Sequence, residues 1–346
     1  MSRSSLRRSV EFSVLCIAAG LSACASNHAA LNPAGPRARS IAHLMLGFVG
    51  ISTVVYVIVI AVLVWALVRK GRGSEPADTM DRSDQSGAHA INPARRIITW
   101  AMALTVLILV TLALADFAVE RALTSHPADA VRVQVTGHQY WWEIEYDDPD
   151  PSQRLHTANE LHIPVGRPVE LVLTSQDVIH SMWMPNLSGK KDLIPGKTNT
   201  EVLVADKAGT FTGQCAEFCG LQHAKMRLIV RAEPQAQFDA WKKAQLAVAA
   251  QPQDDPARHG LEVFQASGCI LCHAIGGTDA AATVGPDLTH LASRSMIAAG
   301  TLPNTEANLA SWILAPHRFK PGVQMPATTL SGPDLAALSA YLAGLR

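Results

Sequence analysis

Three hydrophobic patterns succeed one another along the chain. Ile41 to Val68 runs for 28 residues, and Ile97 to Ala115 for 19, without a charged side chain. Each is long enough for the ~20 residues that cross a hydrocarbon core. A charge at mid-membrane costs about 2.5–3.5 kcal/mol, so unbroken apolarity predicts transmembrane helices over 41–68 and 97–115, paired as a hairpin over 41–116. From Val131 to Arg231 the pattern shortens to the β-rich runs VRVQVTG, LHIPVGRPVELVLTS, TEVLVADKAGTFTG and MRLIVRA, punctuated by Pro and Gly. These predict a small all-β sandwich or Greek-key barrel within 125–232. The helical run PQAQFDAWKKAQLAVAA and the polar QPQDDP then predict a helix and linker over 233–256, and a separate helical unit over 257–346.

Charge orients these parts. The 346 residues carry 29 basic and 29 acidic side chains, a balance that gives no reason to expect a nucleic acid or an acidic partner. The segment between the two spans holds Arg69, Lys70, Arg72, Arg82, Arg95 and Arg96, which the positive-inside rule places in the cytoplasm. Everything after Asp116 then faces outward. At the N-terminus Arg3, Arg7 and Arg8 precede a mainly apolar run from Val10 to Gly20 and the small residues of LSAC. That layout predicts a lipoprotein-type signal peptide over 1–23, with Cys24 the lipidated first residue of a short segment, 24–40. With two spanning helices present, anchorage does not require the lipid.

The six cysteines fall in three pairs: Cys16 and Cys24 in the export segment, Cys215 and Cys219 in CAEFCGLQHAKM, and Cys269 and Cys272 in CILCH. None remains for a disulfide framework, and nearby thiols in an oxidising outer compartment close on each other unless a metal or covalent cofactor holds them. CILCH has the C-x-x-C-H spacing of c-type heme attachment, with His273 offered to the iron. The competing thioredoxin-like pair expects a βαβ context, whereas helical runs and loops surround this motif. VGPDL follows, and by resemblance to small monoheme cytochromes c the Pro286 carbonyl would hold the other nitrogen of His273. For the sixth ligand, Met325 in GVQMPATTL is the expectation, because it precedes the last helix as in that family; Met296 is the alternative, ahead of His290 and His317.

CAEFCGLQHAKM spaces its thiols C-x-x-x-C and adds H-x-x-M, where structural zinc sites favour C-x-x-C pairs closed into a tetrahedron. A thioether suits copper better than zinc, and a blue-copper site would use one thiolate, leaving the second surplus. Two thiolates bridging two coppers account for both, with His223 capping one metal. A second imidazole must come from elsewhere, and His180, at the end of the strand run VELVLTS, is the candidate.

These residues resemble subunit II of the heme-copper cytochrome c oxidases, in which C-x-E-x-C-x-x-x-H-x-x-M and an upstream D-V-x-H-S form the binuclear copper centre CuA. The resemblance covers about Ala42 to Arg231 and includes GHQYWWEIEY and PNLSGKKDLIPGKTN. It implies a multidomain chain: a two-helix transmembrane hairpin, an all-β cupredoxin domain and an all-α monoheme cytochrome c domain. It implies that Cys215 and Cys219 bridge the coppers, that His180 and His223 cap them, that Met226 is a weak ligand and that Glu217 supplies its backbone carbonyl. The Glu217 side chain would reach a magnesium ion bordering subunit I. Met182, Met184, His138, His156 and His162 are read as packing or solvated residues.

The implied activity is that of an oxidoreductase subunit at the outer face of a bacterial inner membrane. An external donor reduces the fused cytochrome, electrons pass through CuA, and subunit I reduces oxygen to water coupled to proton translocation; subunit III is a further expected partner. Two positions depart from the family. Tyr140 stands where a tryptophan often follows G-H-Q, so the electron path is assigned to Tyr140, Trp141 and Trp142 together. Ile97 stands where the second transmembrane helix often carries a proton-conducting glutamate. A quinol oxidase subunit II would lack the copper ligands, and a stand-alone electron carrier or copper-delivery protein would not need two spans.

Overall fold

The computed structural model describes residues 28–70, 93–123 and 127–346. The export segment with Cys16 and Cys24, and the inter-helix charges Arg72 and Arg82, lie outside the described residues. Residues 40–124 form one compact unit, and the chain on either side of them forms another.

The first unit is built from two helices, α1 (Pro36–Lys70) and α2 (Pro93–Leu123). Pro36 can open α1 because the first N–H of a helix has no partner to lose. Both helices are long and apolar enough to cross a membrane, and none of the apolar window of either is buried among the described residues. Trp65 is 59 % exposed and Leu107 62 % exposed, a display that water penalises and lipid does not. Each helix outruns its apolar stretch. α2 continues through Asp116, Glu120 and Arg121, since hydropathy marks where lipid ends while backbone hydrogen bonding carries the helix on into the polar zone.

In the second unit two five-stranded sheets face each other. One has the order β3-β2-β1-β5-β8, from Leu155–Ala158, Trp141–Tyr146, Val131–His138, Val169–Ser175 and Asn199–Leu203. The other has the order β4-β10-β9-β6-β7, from Glu160–Pro164, Arg227–Glu233, Gly209–Cys215, His180–Trp183 and Lys190–Leu193. Alternate residues such as Val133, Val135, Trp142, Ile144, Leu171 and Leu173 are wholly buried between them. Each large aliphatic side chain so buried contributes about 1.5–3 kcal/mol of transfer free energy. This is the cupredoxin-like domain.

Two flanking segments belong to that domain more closely than the sequence pattern indicates. Before the first long helix, Ala34 N donates to Asn186 O at 2.6 Å, Asp206 N donates to Ala34 O at 2.8 Å, and buried Arg37 pairs with Glu201 at 3.6 Å. After β10, the helix α3 (Gln235–Gln245) sinks Phe238 into the sandwich core and stacks Trp241 on His162 at 4.0 Å. It is a cap on the β-domain as well as the start of a linker.

The helical C-terminal region has its own core. Its helices are α4 (Asp255–Ala266), α5 (Glu306–Leu314), α6 (Pro316–Phe319) and α7 (Gly332–Ala343), with a two-residue ribbon of β11 (Met296–Ile297) and β12 (Leu302–Pro303). Asp254 caps α4 by accepting from Ala257 N at 2.8 Å, and Thr305 and Ser331 cap α5 and α7 in the same way. The first and last helices cross at Gly260, where an added Cβ would sit 2.1 Å from Ala337 O, so only glycine permits that approach.

Candidate metal centre and heme cavity

Strand pairing assembles the first site. β6 runs antiparallel to β9 with Met182 opposite Cys215, which brings His180, wholly buried, beside the Cys215 sulfur at 3.9 Å from its Nδ1. His180 Nε2 donates to Asp177 Oδ1 at 2.8 Å, a bond that leaves Nδ1 as the free lone pair facing the thiols. Asp177 is itself fixed by Gln139 N and Val178 N, each at 2.6 Å. Gly137 gives the ring room: an added Cβ would meet His180 Cδ2 at 2.7 Å.

The loop after β9 supplies the other donors. Cys215 N donates to Met226 O at 2.9 Å, so the loop closes on itself and a 3-10 turn at His223–Lys225 carries the remaining imidazole inward. The Cys215 and Cys219 sulfurs stand 3.8 Å apart, far beyond the ~2.05 Å of a disulfide. Cys219 Sγ is 3.8 Å from His223 Nδ1 and 3.9 Å from Met226 Sδ. Cys215 Sγ is 3.2 Å from the Glu217 carbonyl oxygen. Among the described residues, His180, Cys215 and Cys219 hold their donor atoms within 4.8 Å of one another. His223 adjoins Cys219 at the far end of that group.

The electrostatics are those of a thiolate site. The neighbouring Cys219 sulfur, with help from His180 and against the cost of burial, lowers the Cys215 thiol well below its ordinary value. Cys219 is pushed up by that same neighbour and by burial. Burial alone would lower His180, but Cys215 and Asp177 outweigh it and raise the imidazole. A metal binding here displaces those protons. Two soft sulfurs, two imidazoles, a thioether and a carbonyl form a donor set that fits copper.

The Glu217 carboxylate turns away from the sulfurs, is 39 % exposed and pairs with Lys190. Met182 and Met184 are 2 % and 1 % exposed in the sandwich core, as packing residues should be. His138 bonds Glu143 at 2.9 Å and stacks on Trp141, and His162 lies between Glu160 and Glu233.

The second site is a cavity of about 240 Å³ whose wall includes Cys269, Cys272, His273, Met296 and Met325. Gly268, with φ +76°, starts the 3-10 turn Cys269–Leu271 that presents both thiols, which are unbridged. His273 Nδ1 donates to Pro286 O at 2.7 Å, leaving Nε2 for a metal. Burial, reinforced by the Arg294 charge, lowers His273 and keeps it neutral as a ligand must be; the Pro286 carbonyl opposes this. An added Cβ at Gly285 would meet His273 Cε1 at 2.7 Å, so the ring lies in a cradle that only glycine leaves open. Arg294 also lines the cavity, and its buried Nε has no partner, which suits a group with anionic arms such as heme. Both methionines reach the cavity, and Met325 also packs on the cytochrome core. His290 is committed to Ala247 O at 2.9 Å, and neither it nor His317 lines the wall.

Tyr140, Trp141 and Trp142 lie between the two sites. Tyr140 and Trp141 complete the cavity wall, and Trp142 is wholly buried with its ring edge-on to His180 at 5.9 Å. Asp177, Gln139, Arg294 and Lys320 were not among the sequence candidates. Asp177 carried a signal, three residues before His180; the others act across distances no local pattern spans.

Fold and sites define a membrane-anchored, cupredoxin-type metal protein with a cytochrome c domain on the same chain. The family profile "Cytochrome C oxidase subunit II, periplasmic domain" matches residues 150–233, and "Cytochrome c" matches residues 257–346. Cytochrome c oxidase subunit 2 of Alkalihalophilus pseudofirmus is 36 % identical over 92 % of this chain and 91 % of its own length. That of Bacillus sp. (strain PS3) is 37 % identical over 69 % of this chain and 68 % of its own. The solved periplasmic domain of subunit II of cytochrome oxidase from Bradyrhizobium japonicum aligns with 34 % of this chain and 95 % of its own at 30 % identity and TM-score 0.32. The chain belongs to the cytochrome c oxidase subunit 2 family, with a fused C-terminal cytochrome c domain.

Proposed function

We propose that this chain is the electron-accepting subunit of a bacterial respiratory oxidase. It takes electrons from an external donor at its cytochrome c domain and delivers them through the cupredoxin domain to a heme-copper subunit I. There oxygen is reduced to water with proton translocation, and a subunit III completes the assembly. Copper and heme, when bound, supply reversible one-electron chemistry; the protein's part is to fill their coordination positions, exclude oxygen from them and hold them in register.

Cys215 and Cys219, with His180, His223, Met226 and the Glu217 carbonyl, would hold two coppers and keep them within reach of one-electron partners. Cys269 and Cys272 would attach heme c, and His273 and Met325 would hold its iron. Tyr140, Trp141 and Trp142 form the path between the sites. The Glu217 carboxylate, which pairs with Lys190 in the chain alone, would hold a magnesium ion at the subunit I boundary. The signal peptide and lipidated Cys24 belong to export, and the folded domains lie on the periplasmic side.

One observation carries this reading: two buried, unbridged thiols 3.8 Å apart, with an imidazole beside each. A single tetrahedral ion needs one compact set of four donors, whereas this arrangement is drawn out along the sulfur pair. Metal and heme analysis of the purified full chain tests it. Two coppers per covalent heme are expected; one copper, or a Cys215–Cys219 disulfide in the oxidised protein, refutes it.

A further inference from the structure

The cytochrome domain does not hang free of the β-domain. Of three consecutive residues from the end of α6, Phe319 and Pro321 accept from the loop that carries the copper-site candidates, and Lys320 between them reaches the β1–β2 turn. Lys225 Nζ donates to Phe319 O, Lys320 Nζ donates to Tyr140 O at 2.9 Å, and Gln222 Nε2 donates to Pro321 O at 2.6 Å. Arg227 N adds a bond to Ala299 O at 3.1 Å. Lys320 is the unusual member. It is 1 % exposed, its second acceptor is Ala298 O at 3.3 Å, and both its acceptors are neutral carbonyls.

A buried lysine held only by carbonyls is costly, and an apolar residue of similar volume would pack there at less cost. Burial lowers its pKa to about 7, so part of the cost is relieved by neutralisation. What the lysine provides is register. The peptide it grips is one residue from Gln139, whose Nε2 donates to the Cys219 carbonyl at 2.6 Å, and the Tyr140 hydroxyl accepts from Leu221 N at 3.0 Å. Lys320 and Tyr140 also line the cavity that Cys269 and Cys272 line.

We propose that Lys320 is a positioning residue that latches the cytochrome domain onto the copper-ligand loop through the Tyr140 carbonyl, so that this face is served by the chain's own heme and closed to a free donor. The inference rests on the ligand reading given under Proposed function. In each transfer one ferrous heme is oxidised and the copper site gains that electron; no covalent bond forms or breaks.

The test uses the assembled oxidase containing the full chain, as wild type, Lys320→Met and Lys320→Arg. Flash-initiated heme-to-copper transfer should slow roughly tenfold or more in Lys320→Met, as sub-ångström register is lost, while both absorption spectra stay at wild-type intensity. Added soluble cytochrome c should then reduce copper in parallel with the heme rather than after it. Amide hydrogen exchange, readable without either cofactor, should rise in segments 137–142 and 296–323. Lys320→Arg should restore the rate and the protection. If Lys320→Met loses heme or copper, Lys320→Gln is read in its place. A fully loaded variant with wild-type transfer and exchange overturns the latch alone. A wild-type chain without copper overturns the ligand reading beneath it.

Discussion

Glu160 joins the two domains, and replacing it with Gln should weaken that junction in a pH-dependent way. Its carboxylate is 4 % exposed; one oxygen takes Arg231 and faces His162 at 3.4 Å, and the other accepts Ser295 N at 3.0 Å and Ser295 Oγ at 2.9 Å. Burial alone would raise its pKa, but the hydrogen bonds from His162, Arg231 and Ser295 outweigh that and bring it from 4.5 to about 2. At ~1.36 kcal/mol per pH unit, that fall is worth about 3 kcal/mol. Because the folded value lies below the unfolded one, this stability is complete above about pH 4.5 and is lost as pH falls toward 2. His162 runs the other way: burial lowers it, Glu160 and Glu233 raise it further, and its contribution is present below its ordinary 6.5 and lost as pH climbs through the raised value. Glu160→Gln keeps the shape but faces Arg231 with a neutral amide. Thermal unfolding of the full chain, followed by near-ultraviolet circular dichroism, should show a melting temperature roughly 6–12 °C lower at pH 5–6. The gap should close between pH 4.5 and 2. Equal melting temperatures at pH 5–6, or a gap that persists unchanged at pH 2.5, would refute the reasoning.

Two further outcomes follow from the sites. Cys215→Ser and Cys219→Ser each replace a soft donor with a hard one, so copper per chain should fall at least tenfold with the covalent heme retained; full copper content in either variant contradicts the bridging role. Met325→Leu should abolish the thioether signature in the heme absorption spectrum while Met296→Leu leaves it, and the reverse result would exchange their roles.

How far the sequence could be read depended on the range over which each feature is encoded. The strands were visible because VRVQVTG and MRLIVRA alternate in and out of the core, and the spans because charge is absent from them. C-x-x-x-C and C-x-x-C-H were visible because the donors lie on one loop or one turn. The place of α3 was not: Phe238 and Trp241 read as an amphipathic helix, but nothing in that run says that its apolar face closes a β-sandwich over Tyr146 and His162. The docking of residues 28–39 was hidden likewise, because its bonds, from the Ala34 backbone pairs to the Arg37–Glu201 ion pair, reach partners far along the chain. Lys320 was hidden most completely. A lysine in a polar loop reads as solvated, and only the fold buries it.

The six residues GHQYWW show how folding, and not composition, ties the two sites together. Gly137, on β1, leaves space for the His180 ring, and Gln139, in the turn, bonds the Cys219 carbonyl. Tyr140 accepts from Lys320 Nζ on its carbonyl and from the Leu221 amide on its hydroxyl. β2 then begins, and because successive strand side chains point to opposite faces, Trp141 turns to the heme cavity while Trp142 turns inward to His180. A single-residue slip of that strand would exchange the two indoles and break both contacts at once. The β1–β2 register, with His138 opposite Trp141 and Gly137 opposite Trp142, therefore decides which site each indole meets.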